Sequence, residues 1–341
     1  AATAIGVALM ASQPARAQVV PAEKVEKAIG KSVSLMQSSA GLFEQRMGKL
    51  CFSCHHQSVP SVAYAAVAAR GLSFGAKGRT QQSDFVYGFA AKLKPQFEGA
   101  VRRGDADAAQ EIDRFTVDPP VTLGYLLFGL EQDGRAADET LRLAAQYLAR
   151  KQDADGRWPA YAARPPMEGS ELAATALAVR SLQAYGAPEF AVENRERIAR
   201  ARDWLMNTRP RSTEDKAFRL LGLKWSGAPE TTLREAVRDL LDDQRDDGGW
   251  SQLPGKGSDA YATGQVLVAL YEAGLRNSDS AFSRGALYLL LTQQGDGSWR
   301  VVKRAPAAQP HFESGFPHGK DQFISIAGTG WATAALALSL P

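Results

Sequence analysis

The chain has 341 residues, 45% of them hydrophobic and 23% charged, with 40 basic against 37 acidic side chains and only two cysteines. A nearly balanced charge without basic runs leaves no electrostatic footprint for a nucleic acid or other polyanion. Two cysteines cannot frame a fold of this length, so it must bury a conventional hydrophobic core, and no apolar run approaches the ~20 residues of a membrane-spanning helix.

In chain order, residues 4–11 form a short apolar run, followed by Ala15-Arg16-Ala17. An h-region before an A-x-A site predicts a signal peptide over 1–17, lacking its basic start. An exported, periplasmic or secreted domain then spans 18–341. The segment Val25–Gln37 carries apolar residues at helical spacing with one charged face.

Then comes Cys51-Phe52-Ser53-Cys54-His55-His56, which gathers both cysteines and two of the four histidines. C-x-x-C-H is the attachment signature of a c-type haem, held by two thiols with the following histidine as an axial iron ligand. Export fits that chemistry. The same residues also admit a tetrahedral zinc site from Cys51, Cys54 and a histidine pair, or a Cys51–Cys54 disulfide.

Beyond the hexapeptide two kinds of helix alternate. Charged-face segments run over Val25–Gln37, Asp84–Arg103, Ala136–Gln152, Glu193–Asn207, Pro229–Gln244 and Ser280–Gln294. Small-residue apolar segments run over Pro60–Arg70, Pro120–Asp133, Ala173–Tyr185, Ala217–Ser226, Tyr261–Ala273 and Gly328–Leu338. Five of the latter are followed by a glycine, the usual residue just past a helix end. No strand alternation stands out. The pattern predicts an all-α (α/α)6 toroid, six outer helices around six inner ones, in a single domain.

Three turns punctuate this alternation. Gln152 to Trp158, Gln244 to Trp250 and Gln293 to Trp299 all read Q-x-x-D-G-x-W, and recurrence of this kind marks repeated supersecondary units. Each precedes an inner-type helix. They resemble the QW repeats of squalene–hopene cyclases and their relatives, which share the α/α-toroid with protein prenyltransferases. The resemblance covers most of residues 25–341 and implies the fold. It implies activity far less, because function lives in sites grafted on folds.

The chain departs from the family's catalytic patterns. Class II terpene cyclases protonate an alkene with the middle acid of D-x-D-D, which is absent; Asp153-Ala154-Asp155-Gly156 belongs to a turn, and one lone Asp259 opens an inner helix. The prenyltransferase zinc site needs a cysteine in the C-terminal half, where none occurs. Asp242-Asp243-Gln244-Arg245-Asp246 matches D-D-x-x-D but sits at a helix end, where charge runs are usually solvated. Thr213-Glu214-Asp215 reads as a helix cap with an acidic first turn, and Trp225 and Trp331 read as core or cavity lining.

A ring must close, so its last loop should meet its first. The last loop holds the remaining histidines, His311 and His318, with Lys320 and Asp321 beside them as a solvated pair or as groups orienting a ligand. The expected haem-binding set is therefore Cys51, Cys54, His55 on the iron and His318 opposite, with His56 and His311 as alternatives. Function is expected as redox or oxidative chemistry with a haem c, or failing that zinc, on an apolar molecule in the central cavity, with a redox partner. The alternatives are a non-catalytic lipid- or protein-binding scaffold and a diverged terpenoid cyclase or lyase.

Overall fold

The structure, a computed structural model, describes residues 21–47, 52–74, 76–306 and 312–341. The signal-peptide reading, Cys51 and His311 lie outside the described residues. Six helices form the inner ring: α2 (Val59–Ala69), α6 (Pro119–Gln132), α8 (Glu171–Tyr185), α10 (Thr213–Trp225), α12 (Ala260–Glu272) and α14 (Gln322–Leu338). Each touches the next, and α14 packs against both α12 and α2, so the ring is closed. Six more stand outside: α1 (Ala22–Met47), α3 (Ala76–Lys92), α7 (Glu139–Ala149), α9 (Ala191–Asn207), α11 (Glu230–Leu241) and α13 (Ser280–Thr292). No extended strand occurs among the described residues, only two isolated bridges.

Composition separates the rings. α14 is buried over almost its whole circumference, as a helix apolar on every side must be. In α11 burial is confined to Leu233, Ala236 and Leu240, one stripe at helical spacing. Small residues let the inner helices approach closely. A Cβ on Gly264 of α12 would lie 2.5 Å from the Trp331 carbonyl carbon of α14, and one on Gly330 would lie 2.9 Å from Val59 of α2.

The inner helices are parallel. Gly328 lies against Tyr261 and Gly264 against Trp331, so residue numbers climb together on α14 and α12. Gly124 meets Leu177 while Glu131 meets Arg180, which fixes the same sense for α6 and α8. Their N-terminal ends therefore face one mouth of the ring and their C-terminal ends the other.

The Q-x-x-D-G-x-W turns fasten three helices each. Gln152 Nε2 donates within its turn to the Gly156 carbonyl, 2.8 Å, and outward to Arg197 of α9, 2.9 Å. Trp158 Nε1 donates back to Leu148 of α7 at 2.7 Å, and its backbone N–H donates to Thr175 Oγ1 of α8 at 2.9 Å. Gln244 and Trp250 repeat this arrangement on α13, α11 and α12. In the third turn the outward partner is α1: Gln293 Nε2 donates to the Ala28 carbonyl at 2.9 Å. Gly297, at φ +95°, would drive a Cβ to 2.7 Å from the Lys31 backbone. The last repeat thus bolts the end of the chain to its first helix.

Several elements differ from expectation: α1 runs ten residues past the expected Gln37, and α10 begins four residues before Ala217. The predicted outer helix Asp84–Arg103 is broken into α3, the short α4 (Lys94–Glu98) and a π-turn over Gly99–Arg103. Pro95 enters the first turn of α4, where a missing N–H does no harm. Gly104 ends the run in the left-handed region at φ 67°. An additional helix, α5 (Ala106–Thr116), follows, capped by Asp105 through the Asp107 and Ala108 N–H groups. α14 begins six residues before the predicted Gly328, at Gln322.

Candidate functional site

The Cys54–His56 segment owes its shape to Ser53 and Pro60. Ser53, extended at φ −123°, accepts the His56 N–H on its hydroxyl and opens a π-turn over Cys54–Ser58. Pro60 carries no N–H for the carbonyl four residues back, so the widened i→i+5 pattern takes over, with Val59 N–H donating to the Cys54 carbonyl. Gln57 Oε1 accepts the Ser53 N–H at 2.7 Å and locks the entry.

This turn forms part of the wall of a cavity of about 600 Å3 at the mouth bounded by the inner-helix N-termini, within the range of ligand and cofactor sites. Cys54 and His55 both line it. Phe52, Phe89, Phe312 and Phe323 supply aromatic wall, and Arg164, Lys303 and Lys320 supply cations. Helix N-termini carry partial positive charge. Arg164 is paired with Glu168, which also lines the cavity, so Lys303, Lys320 and the helix N-termini are what favour an anionic group there.

His55 makes an edge contact with Phe323, ring centroids 6.1 Å apart, and burial and the Arg164 charge lower its pKa to about 4. His56 is fully buried behind the cavity wall and is not among its lining residues. It stacks on Phe43 at 5.1 Å and meets Phe323 edge-on at 5.0 Å. Its Nδ1 lies 3.2 Å from Ser53 Oγ while Nε2 is buried without a partner. Burial first, and His55 second, lower its pKa to about 3. Both imidazoles are neutral at physiological pH, the form that binds a metal.

Ring closure brings residues 312–324 against this turn: Phe312, Lys320, Phe323 and Ile324 share the cavity wall with Cys54 and His55. His318 is not among the lining residues. It sits at φ 84° with Nε2 2.9 Å from Ser298 Oγ of the third repeat turn. Asp321 accepts both Arg300 and the Lys303 N–H. Among the described residues no three His, Cys, Asp or Glu side chains converge as metal ligands; Cys51, which the zinc reading needs, lies outside them. Asp259 caps α12 through the Ala262 N–H at 3.0 Å, and Asp242, Asp243 and Asp246 are exposed.

Several wall residues gave no signal in the sequence. Arg164 and Glu168 pair backbone to backbone and side chain to side chain in a short hairpin that presents Met167, 1% exposed, to the cavity. At the mouth Phe115 and Val117 stand 50% and 72% exposed, and Val117 sits at φ 53°, a strained conformation for a β-branched residue. Glu214, in the first turn of α10, is fully buried and accepts the Tyr261 hydroxyl at 3.0 Å. Burial pushes its pKa to about 8, so at neutral pH it is a protonated acid. Unlike Arg164, Glu168 and Met167, Glu214 does carry a signal in the sequence, the acidic first turn of the Thr213-Glu214-Asp215 triplet, and the cap itself is Ser212.

No family model matches the chain. Drimenyl diphosphate synthase of Streptantibioticus cattleyicolor is 29% identical over 220 residues, 60% of this chain but 38% of that protein, so the chain spans well under half its length. Among solved structures, the type II terpene cyclase MstE from Scytonema, in its apo form, superposes with a TM-score of 0.55 at 14% identity. The match covers 93% of this chain and 98% of that one. A variant of that cyclase in complex with merosterolic acid A, its product, gives 0.52 at 15% identity, covering 92% and 96%. At such identities the likeness is one of fold. The closed double ring gives the chain the α/α-toroid fold that these type II terpene cyclase structures share.

Proposed function

We propose that the chain is an exported redox protein whose toroid holds a c-type haem in the N-terminal-end cavity. The observation that carries this reading is that Cys54 and His55 open onto the same aromatic cavity of about 600 Å3. The residues present fit the group. A thiol and a neutral imidazole stand adjacent, Phe52, Phe89 and Phe323 offer apolar faces for a macrocycle, and Lys303 and Lys320 would meet its carboxylates, Arg164 being paired with Glu168. Cys51 would supply the second thioether. A bound haem supplies one-electron redox chemistry. The protein's own part is to hold His55 unprotonated, exclude bulk water with the phenylalanine wall, and match the anionic edge with cations.

Similarity to drimenyl diphosphate synthase favours a second reading, a diverged terpenoid cyclase acting on an apolar isoprenoid. Its support stops at the proton donor. The D-x-D-D acid is absent, and although burial raises Glu168 and Glu214 and so keeps a carboxyl protonated, neither belongs to such a motif.

Protein matured with haem-attachment machinery should show a Soret band and reduced α-band that survive acid–acetone extraction. Cys54→Ala should lose most of the retained colour. His55→Ala should keep it and shift the bands, because the thioethers remain while the iron ligand changes. A colourless wild-type protein would overturn the reading.

A further inference from the structure

The cavity that Cys54 and His55 open onto has a thioether on its wall as well. Met167 stands in the loop of the Arg164–Glu168 hairpin, and every residue of that hairpin lines the cavity. Loops run over protein surfaces, yet this side chain is 1% exposed.

The hairpin is built to keep its place. The Arg164 N–H donates to the Glu168 carbonyl at 2.7 Å, the Glu168 N–H donates back at 3.1 Å, and the two side chains pair beside them. Between them Pro165 and Pro166 have φ fixed by their rings. At the entry, the Ala162 N–H donates to the buried Asp118 carboxylate at the start of α6, 2.7 Å away. At the exit, Ser170 caps α8 and hydrogen-bonds Asp215 of α10 at 2.5 Å. A side chain that must meet a metal needs such support from the shell around it.

His55 precedes α2 and Met167 precedes α8, and α6 stands between those helices in the ring. The two side chains therefore reach the cavity from different sectors of its wall. They are not remote, because the Arg164 charge acts on the His55 imidazole.

Among the described wall residues, Met47, Glu168, Lys303 and Lys320 are the competing ligands. Glu168 is held by Arg164 and offers hard oxygen. An ammonium group has no lone pair to give. Met47 ends the outer helix α1 and is only half-buried.

We propose that Met167 is the second protein ligand of the haem iron, completing with His55 a six-coordinate site whose work is electron transfer. This assignment rests on the haem reading and adds a reaction class to it. With both axial positions filled by the protein, no position is open for dioxygen or a substrate. A soft, uncharged thioether also favours reduced iron and so raises the potential.

Ferric wild-type protein should show the weak far-red band of sulfur-to-iron charge transfer, a reading that needs no variant. Met167→Leu conserves volume and apolarity. It should lose the band and lower the midpoint potential. Its ferrous form should bind carbon monoxide at least about tenfold more tightly, because no internal ligand competes. Met47→Leu should leave all three unchanged. Colour retained through acid–acetone extraction reports the covalent attachment separately. A coloured wild type without the band, a band that survives Met167→Leu, or one lost in Met47→Leu would overturn the Met167 assignment and leave the haem reading standing. A colourless wild type would overturn both.

Discussion

Gly264→Ala is expected to destabilise the protein by about 3 kcal/mol, although alanine is the better helix former. The new Cβ would lie 2.5 Å from the Trp331 carbonyl carbon and 2.6 Å from the Ala332 nitrogen, both backbone atoms that no rotamer change can move. α12 and α14 would have to part, and each also packs on another inner helix, so the strain spreads around a closed ring. Gly88→Ala on α3 is the matching control. Nothing lies within 4 Å of a Cβ there, and the change should stabilise by up to about 1 kcal/mol. Denaturant midpoints of the two variants give the answer. A Gly264→Ala protein within about 1 kcal/mol of wild type would contradict an inner ring held at backbone contact.

The second large effect is a stability that falls as pH rises. Glu214 ionises near its ordinary 4.5 in the unfolded chain but near 8 in the folded one, chiefly through burial and secondarily through its neighbour Asp215. Between those values the unfolded state has released a proton that the folded state retains, so stability declines with increasing pH. The decline levels off above about 8, after a loss on the order of 4 kcal/mol. Asp133, raised to about 6 mainly by burial, slopes the same way between 3.8 and 6. Glu214→Gln keeps a hydrogen-bonding partner for Tyr261 and cannot ionise. Wild type and variant should be nearly equal at pH 5, with the variant clearly more stable at pH 8.5. Parallel curves for the two proteins would contradict a buried protonated Glu214.

His56 acts at the other end of the pH scale. Its folded pKa of about 3 lies below the ordinary 6.5, so its contribution is complete above 6.5 and is lost as pH falls towards 3. The opposing slopes place maximal stability in the mildly acidic range.

Much of the ring was legible because its instructions are local and repeated. Gln, Asp-Gly and Trp at fixed spacing predict a turn, and each residue has one job in the structure: Gln152 reaches the next outer helix, Gly156 permits a close approach, Trp158 anchors both its neighbours. Ring closure followed from the same logic, because the third turn needs an outer helix and finds α1. The break at Pro95 was also written in the chain, but a continuous charged face masked it. Helix α5 carried little signal, with only Ile112 and Thr116 buried.

The candidate site was legible in part. Cys54 and His55 are found together because they are adjacent in sequence, and Phe323 joins them through ring topology. His318 shows the limit of that argument. Topology brings its loop to the right side, but a left-handed backbone and the Ser298 hydroxyl turn the side chain elsewhere. Met167, Arg164 and Glu214 meet the ring interior through packing between helices distant in sequence, which no periodicity encodes.

The central claim concerns one covalent attachment, and tandem mass spectrometry of the peptide spanning Cys51 to His56 tests it most directly. Peptide from protein matured with haem-attachment machinery should carry one haem bonded to both thiols. A peptide with free thiols, or with a Cys51–Cys54 disulfide, would contradict it.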